Sequence, residues 1–445
     1  MKRLLILLSI PLLLGYMQLS LDQQLRQTLS HHGIEAQRAA TEPDSAKIEL
    51  GRMLFYDKIL SGNKDISCAS CHHPSLNSGD ALTLSIGVGG QGLGKARIMG
   101  KDRERIPRNS PEIFNRGSQD WHSMFWDSRV QDLGEKGWYT PADEKFPQEG
   151  FDNILAVQAM FPVTSRDEMR GEIGDLDIEG NVNELALISP GMPQSIWFAL
   201  MRRLKNIPEY VALFTAAYPE IDIKDLSFVH AANAIAAYEI SAFTYLDSPW
   251  DAYLNGNEEA LTEQQKRGAL FFYQEGSCVA CHSGNLMTDQ KAHNLGIPQF
   301  GPGKDIDAPL DYGHIVESGN SEDLFAFRTP PLRNVVLTGP WMHNGAYDDL
   351  EAAIRHHLNP LQSLKTFPKE HLPLELQLSF QDDEGVMRRI GEKIDPLLKS
   401  PALQASETEI ADVLSFMDAL SEESALKQIT KAPERVPSGL PVDDI

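Results

Sequence analysis

Two short stretches of this chain repeat the same pattern of two cysteines and a histidine. Residues 68–72 read Cys-Ala-Ser-Cys-His, and residues 278–282 read Cys-Val-Ala-Cys-His. Each has the C-x-x-C-H spacing of a c-type haem attachment site, in which two thiols add to the vinyl groups of one porphyrin and the next imidazole ligates its iron. The residues predicted to bind two haems are therefore Cys68, Cys71 and His72, and Cys278, Cys281 and His282.

Two alternative interpretations of these cysteines are a zinc site and a redox-active dithiol. A structural zinc site pairs two C-x-x-C units across a short gap, whereas these motifs lie 210 residues apart. A thioredoxin-like dithiol expects a βαβ context, which neither motif has. The two motifs use all four cysteines of the chain, so no disulfide is expected.

The composition is that of a strongly acidic globular protein. Of its 445 residues, 42% are hydrophobic and 23% are charged, and the formal net charge is -23. This excess of carboxylates argues against nucleic acid as a partner. A basic partner, such as a small cytochrome, is compatible with the charge, although acidity can equally serve solubility alone. The length allows two or three domains.

The first twenty residues predict an export signal. Lys2 and Arg3 precede an apolar run from Leu4 to Leu14, which is short for a membrane span. No clear small-residue cleavage site follows, so an uncleaved N-terminal anchor is the alternative to a cleaved signal peptide. We expect a periplasmic protein, because c-type haem is attached outside the cytoplasm in bacteria.

Helix signals recur around both motifs. Asp44 can cap a helix before the first motif, and Thr262 can cap one before the second. Gly51 and Gly268 each precede a phenylalanine by four residues, which favours duplicated helices with close-packing glycines over two unrelated amphipathic helices. A capping box at Ser406 predicts a late helix that packs on the first helix of its domain.

Strand signals are scarce, and a Gly/Pro-rich stretch follows each motif. We therefore predict a mainly α fold, made of two cytochrome c-like haem domains with long Gly/Pro-rich loops. The predicted boundaries are a signal peptide or anchor at 1–20, an N-terminal haem domain at 40–248, a C-terminal haem domain at 256–425 and a polar tail at 426–445.

Several further motifs carry a resemblance to a known family. They are Ser85-Ile86-Gly87, Arg108-Asn109-Ser110-Pro111, Phe125-Trp126-Asp127, Pro162-Val163-Thr164 with Glu168-Met169, Phe327-Arg328-Thr329-Pro330 with Leu332-Arg333-Asn334, and Met342-His343-Asn344-Gly345. With two haem motifs in this order, the chain resembles the bacterial di-haem cytochrome c peroxidase and MauG family from about Gly51 to Leu420. The resemblance implies a peroxidatic N-terminal domain and an electron-transfer C-terminal domain.

The resemblance also implies catalytic roles around the first haem. Glu168 matches the distal acid that moves a proton between the two oxygens of bound hydrogen peroxide; an ordinary surface glutamate is the alternative. Gln158 and Pro162 match the distal pocket of the MauG type. Trp126 matches an indole that relays electrons between the haems, with a core packing role as the alternative.

A calcium ion between the haems is a further implication of the resemblance. Asn109 and the backbone carbonyls of Thr338 and Pro340 match its ligands. Oxygen donors from distant loops suit a hard cation.

Two positions depart from the pattern of the peroxidases that need reductive activation. Those proteins place a blocking histidine directly after Ser-Ile-Gly, where this chain has Val88. Residues 76–106 contain no histidine, so His72 is expected to be the only protein ligand of the first haem.

The second departure concerns the sixth ligand of the second haem. Fourteen residues after the loop histidine His343, relatives carry methionine or tyrosine, and this chain carries His357. Its neighbour His356 lies about 100° away on a helix, so only one of them can face the iron. Position favours His357, and a pair of solvated histidines is the alternative. A histidine in place of methionine should lower the potential of this haem.

These features predict an exported di-haem oxidoreductase. The leading function is reduction of hydrogen peroxide to water with electrons from a small redox protein, either a cytochrome c or a cupredoxin. The second is MauG-like oxidation of a partner protein or organic substrate, and the third is a non-enzymatic electron-transfer or redox-sensing cytochrome. A homodimer is one expected assembly.

Overall fold

The computed structural model describes residues 19–399, 404–426 and 432–443. Most of the predicted export signal, residues 1–18, lies outside them. The fold is mainly α, as the sequence predicts. Its helices are α1 (Leu21–His31), α2 (Ser45–Tyr56), α3 (Cys68–Cys71), α4 (Ile154–Ala159), α5 (Pro193–Lys205), α6 (Pro208–Ala217), α7 (Phe228–Phe243), α8 (Pro249–Leu254), α9 (Glu263–Tyr273), α10 (Ile315–Ser318), α11 (Leu350–Leu358), α12 (Pro360–Lys365), α13 (Leu374–Leu378), α14 (Glu384–Glu392), α15 (Glu407–Ala419) and α16 (Glu423–Leu426).

Two small antiparallel sheets accompany the helices. The strands are β1 (Ser123–Met124), β2 (Val130–Asp132) and β3 (Trp138–Tyr139) in the first sheet, and β4 (Ala292–His293) and β5 (Phe327–Arg328) in the second. Met124 pairs with Val130 in the first sheet, and His293 pairs with Phe327 in the second. The loop between β1 and β2 carries Trp126.

The predicted helix starts are confirmed at three positions. Asp44 accepts hydrogen bonds from two backbone amides of the first turn of α2. Thr262 and Ser406 each close a capping box, at α9 and α15 respectively. These caps satisfy amides that have no partner within the helix.

Each half of the chain is built on one close crossing of two helices. α2 packs against α7, and α9 packs against α15. A Cβ on Gly51 would lie 1.8 Å from the carbonyl oxygen of Ala234, and one on Gly268 would lie 1.9 Å from that of Asp412. Only glycine permits backbones to approach so closely, so the predicted close-packing glycines are confirmed at both positions.

The two crossings also correspond to each other in register. A Cβ on Gly51 would lie 2.9 Å from the Cβ of Tyr238, and one on Gly268 would lie 2.9 Å from the Cβ of Phe416. Tyr238 of α7 therefore occupies the position that Phe416 occupies in α15.

The two ends of the described chain pack on opposite halves. Leu25 and Leu29 of α1 are buried in the core formed by α9 and α15. Residues 432–443 lie against the first half, where Val436 is buried in its core. Asp443 accepts a hydrogen bond from Ser70 inside the first haem motif, at 2.5 Å. The described part of the predicted polar tail thus contributes to the first core, and the domain boundaries stay a prediction.

Within the described ranges, we find no helix that combines the length and the apolar character needed to cross a membrane.

The close crossing at Gly51 generates a stability prediction. Gly51→Ala should lower the free energy of unfolding by about 1–3 kcal/mol, because the added methyl group must displace the α7 backbone. Chemical denaturation followed by circular dichroism measures this change.

Gly191→Ala is the matched control for this variant. A Cβ there would meet only the Nζ of Lys145, at 3.8 Å, so the expected change is below about 0.5 kcal/mol. Equal effects of the two substitutions would contradict the close crossing.

Candidate functional site

A cavity of about 1300 Å³ lies beside the first haem motif. It exceeds the roughly 300–1,000 Å³ that is common for small-molecule sites. Most of its lining residues come from the first half, and a few, such as Lys304 and Arg328, come from the second. They include every residue that the sequence analysis assigned to the surroundings of the first haem: Cys68, Cys71, His72, Asn109, Trp126, Gln158, Pro162 and Glu168.

His72 is oriented by its backbone neighbours. Its Nδ1 donates a hydrogen bond to the carbonyl oxygen of Ser78 at 3.1 Å, so Nε2 carries the lone pair. The Ser110 hydroxyl lies 3.5 Å from Nε2 and donates to the carbonyl of Cys71 at 2.9 Å. Burial lowers the pKa of His72, so the imidazole is neutral and able to ligate a metal. Among the described residues, His72 is the only histidine that lines the cavity.

Val88 does not enter this cavity. It is 3% exposed and belongs to the first hydrophobic core. Its backbone amide donates to the carbonyl oxygen of Asp167 at 3.1 Å, and a Cβ on the preceding Gly87 would lie 1.8 Å from the same oxygen. The loop is therefore packed tightly against the segment that carries Glu168.

One part of the cavity wall contains two buried arginines and a single carboxylate paired with one of them. Arg116 and Arg328 are both buried, and Arg116 pairs with Glu112 at 2.7 Å. Nη1 of Arg116 has no hydrogen-bond partner among the described residues. Burial and the nearby charge of Arg116 lower the pKa of Arg328 to about 9. The two propionates of a haem would supply the missing negative charge, so the residues fit this group.

Glu168 lies in a single π-helical turn, Arg166–Arg170, at the edge of the cavity. Its side chain is 24% exposed. Burial raises the pKa of the Glu168 carboxyl, and the charge of Arg129 opposes this rise. Nη2 of Arg129 lies 3.8 Å from Oε1 of Glu168. Such π-helical turns are frequent at functional sites, and a carboxyl with a raised pKa exchanges protons closer to neutral pH.

Trp126 is held by hydrogen bonds from both halves of the chain. Its indole Nε1 donates to the carbonyl oxygen of Asn109 at 3.0 Å. Its own carbonyl oxygen accepts from the backbone amide of Arg328 at 2.7 Å, and the amide of Asn109 donates to the carbonyl of His343 at 2.8 Å. The indole therefore lies where the two halves meet and cannot rotate without breaking a buried hydrogen bond.

The side chain of Asn109 has one oxygen available. Its Nδ2 donates to the carbonyl of Leu82 at 2.8 Å, and no described residue donates to its Oδ1. The hydrogen bond to His343 places Asn109 near the segment that contains Thr338 and Pro340. The calcium site at these three residues stays a prediction.

The second haem motif lies opposite His357. The ring centroids of His282 and His357 are 6.3 Å apart. Two imidazoles that ligate one metal from opposite sides, each nitrogen at about 2 Å from it, also place their centroids about 6 Å apart. Nδ1 of His282 donates to Met287 O at 3.1 Å and Nδ1 of His357 donates to Ala353 O at 2.8 Å. Each ring thus keeps Nε2 for a metal.

His356 has both ring nitrogens engaged elsewhere. Nε2 donates to the carbonyl of Leu295 at 2.6 Å, and Nδ1 accepts from the hydroxyl of Tyr347 at 2.7 Å. Burial lowers the pKa of His356 to about 4, which keeps it neutral. The geometry thus favours His357 as the ligand, and neither histidine is the solvated residue of the alternative interpretation.

Polar groups without partners also lie near the second motif. Nε and Nη2 of Arg333 and the hydroxyl of Tyr273 are buried and unpartnered among the described residues. The thiol of Cys278 and the charge of Arg333 both act on the Tyr273 hydroxyl, so these groups are neighbours. An anionic haem substituent would give them partners, so the second site also fits the group.

His293 forms an ionic clamp that the sequence analysis did not assign. Its Nδ1 lies 2.6 Å from Asp395 and its Nε2 lies 2.9 Å from Asp289. Burial opposes protonation, but the carboxylates of Asp289 and Asp395 raise the pKa of His293. Asp289 and His293 also lie within 4.8 Å of Cys281 Sγ, which is no longer a free thiolate once it is joined to a haem.

Sequence patterns did not identify four further residues that line the same cavity: Arg116, Arg129, Glu239 and Arg328. A signal existed only for Glu239, because it is a single carboxyl in the otherwise apolar stretch of residues 234–240. Arg116 and Arg129 lie in loops and Arg328 in the two-residue strand β5, so no periodicity marks them, and their burial could be found only in the structure.

Fold and site together define the class of protein, a helical c-type cytochrome with two haem attachment sites. The sequence profile of the family described as di-haem cytochrome c peroxidase matches residues 45–259. Cytochrome c551 peroxidase of Pseudomonas aeruginosa is 32% identical over 306 residues, covering 69% of this chain and 70% of that protein. Methylamine utilization protein MauG of Methylorubrum extorquens is 26% identical over 388 residues, 87% of this chain and 81% of that protein.

A solved structure of a MauG-like protein associated with microbial copper homeostasis has the same fold. It covers 90% of this chain, and this chain covers 97% of it, at 25% identity and a TM-score of 0.59. The chain belongs to the family of di-haem cytochrome c peroxidases and MauG proteins. It is therefore a peroxidase-type oxidoreductase, and membership implies two covalently bound haem c groups.

The contrast between the two neighbouring histidines generates a ligation prediction. His357→Met should raise the reduction potential of the second haem and change its low-spin signal, because methionine raises haem potentials relative to histidine. Potentiometric titration with electron paramagnetic resonance measures both effects.

His356→Ala is the companion variant, and it should keep the low-spin signal and the potential. It should lower stability by about 1–3 kcal/mol, because Tyr347 and Leu295 lose a buried hydrogen-bond partner. Loss of the low-spin signal in His356→Ala alone would show that the ligand assignment is reversed.

Proposed function

We propose that this protein reduces hydrogen peroxide to water at its first haem, with electrons supplied by a small redox protein through the second haem. The observation that carries the proposal is the cavity in which His72 is the sole described histidine and Glu168 is a carboxyl with a raised pKa beside Arg129. The cavity between His72 and Glu168 has room for a small oxidant such as hydrogen peroxide, and Glu168 can act on it as a proton carrier.

In this proposal, each residue around the first haem has a separate role. The haem, when bound, supplies the iron that binds peroxide and exchanges electrons with it. Glu168 accepts a proton from one peroxide oxygen and returns it to the other, so that water can leave. Arg129, at 3.8 Å, holds the carboxylate towards the cavity. Gln158 and Pro162 shape the wall beside it.

Electron delivery is assigned to Trp126 and to the pair of His282 and His357. Trp126 is fixed at the junction of the two halves, which supports a relay between the haems. Two imidazoles at 6.3 Å between centroids would hold the second haem in one geometry in both oxidation states, and this favours fast electron exchange.

A second candidate function is MauG-like oxidation of a partner protein or an organic substrate. Two observations favour it: Val88 stands where activated peroxidases carry a blocking histidine, and His357 replaces the sulfur ligand. Both would let the oxidised protein react with peroxide and retain oxidising equivalents. Product analysis distinguishes the two functions, since a peroxidase consumes reduced cytochrome c or cupredoxin in proportion to peroxide.

The wider setting belongs to the same proposal. We infer export to the periplasm, because covalent haem attachment of this type takes place there and because the first residues predict an export signal. Asn109, with the carbonyls of Thr338 and Pro340, would hold a calcium ion between the haems. A homodimer is the proposed assembly, and nucleic acid is not an expected partner at a net charge of -23.

The proton-carrier role of Glu168 generates an activity prediction. Glu168→Gln should keep both haems and lose about 10²–10⁴-fold in peroxide turnover, because the amide cannot accept the proton. The ionised form is lost as the pH falls through its pKa, which lies above the ordinary glutamate value. The wild-type rate should therefore fall on the acidic side, and this limb should disappear in the variant.

Glu179→Gln serves as the matched control. Glu179 pairs with Lys64 at 2.7 Å and its side chain is 56% exposed, so its turnover and pH profile should equal those of the wild type. Steady-state kinetics across the pH range measures turnover of the wild type and both variants. If the turnover of Glu168→Gln equalled that of the wild type, Glu168 would be an ordinary surface glutamate.

A further inference from the structure

Glu239 is a buried acid in the wall of the first haem cavity. It lies on α7, between Tyr238 and Ile240, and only 7% of its surface is exposed. Its carboxyl group lines the cavity on the side of Cys68, whose pKa is raised by burial and by the charge of Glu239. Peroxide chemistry at Glu168 makes no use of it.

No described residue donates a hydrogen bond to this carboxyl. Its Oε2 is inaccessible and unpartnered, and no cation among the described residues offsets the cost of burying its charge. Burial alone raises the pKa of Glu239 to about 8. An unpaired buried carboxyl lowers the stability of a folded protein at neutral pH, so packing does not account for a glutamate here.

The second half of the molecule has an apolar residue at the position equivalent to Glu239. Because Tyr238 corresponds to Phe416 across the two helix crossings, Glu239 corresponds to Met417 of α15. Met417 is 3% exposed and lies in the second hydrophobic core. A methionine of similar length thus fills the equivalent position, and only the half with the cavity carries a carboxyl there.

The ionisable groups around Glu239 are few and leave its charge uncompensated. On α2, Arg52 forms an ion pair with Glu49. The hydroxyl of Tyr56, also on α2, lies 3.4 Å from the hydroxyl of Tyr238. The loop packed on α7 contributes the closed pair of Glu112 and Arg116. The thiol of Cys68 is converted to a thioether in the mature protein. The largest change in charge that Glu239 can experience is therefore the change at the haem iron.

We propose that Glu239 is the redox-linked proton site of the first haem. Reduction adds one electron to the iron and is accompanied by transfer of one proton from solvent to the Glu239 carboxylate. Oxidation returns the electron and releases the proton. The electron comes from the titrant in an experiment and from the donor protein in turnover.

The direction follows from electrostatics. The carboxylate is favoured beside the more positive ferric iron and disfavoured beside the ferrous iron. When peroxide oxidises the haem, Glu239 would release its proton into the cavity. The reduction of peroxide to water consumes protons in the same cavity. This last step rests on the proposed peroxidase function, whereas the coupling of proton and electron needs only the bound haem.

The test is a spectroelectrochemical titration of the first haem in the holoprotein without peroxide, on either side of the pKa of about 8. In the wild type the reduction equilibrium should fall by up to tenfold per pH unit, which is about 59 mV for one electron. In Glu239→Gln and Glu239→Met, the pH dependence of the reduction equilibrium should disappear in the same range. Methionine is the residue that the second half carries at the equivalent position, Met417. Glu42→Gln, which alters an exposed neighbour of α7, should keep the pH dependence.

Infrared difference spectra of the wild type give an independent readout. A protonated carboxylic acid band should appear on reduction, shift in heavy water and be absent from Glu239→Gln. Equal pH dependence in wild type and both variants, or no carboxylic acid band in the wild type, would overturn the proposal. Loss of turnover in Glu168→Gln is measured separately, so the two proposals can fail independently.

Discussion

The contact of a glycine Cα with the backbone of a crossing helix is the constraint on which both halves of this molecule depend. At Gly51 and Gly268 a Cβ would lie within 2 Å of a carbonyl oxygen on the partner helix. Each crossing places an aromatic residue next to the glycine and leads the chain directly into a C-x-x-C-H motif. The same scaffold thus presents two haem attachment sites from one structural plan.

The two sites differ in the side chains that surround them. At the second, His282 and His357 face each other with both Nδ1 atoms tied to backbone carbonyls, which leaves space for one metal between two nitrogens. At the first, His72 faces a large cavity with Glu168 at its edge and a cationic wall. Trp126 is hydrogen-bonded to both halves and lies at their junction. This asymmetry supports the proposed function, in which one haem reduces peroxide and the other supplies electrons.

The sequence predicted the parts of this arrangement that depend on short-range patterns. Spacing predicted the haem motifs, and caps such as Asp44 identified the helices. Position favoured His357 over His356, which stays a prediction that the hydrogen bonds of His356 support. Long-range charge placement could not be predicted. Arg129 reaches Glu168 from a loop about forty residues away, and burial of an arginine leaves no mark on its local sequence. The packing of residues 432–443 on the first half could not be predicted either, because a polar segment predicts exposure to solvent.

The central claim is that the first haem has one imidazole ligand and the second has two. Electron paramagnetic resonance of the fully oxidised protein tests it directly, because a haem with an open face is high-spin and a bis-imidazole haem is low-spin. The account predicts high-spin and low-spin ferric haem in equal amounts. Two low-spin haems, with Met124 or Met169 of the cavity wall as an additional ligand, would contradict it.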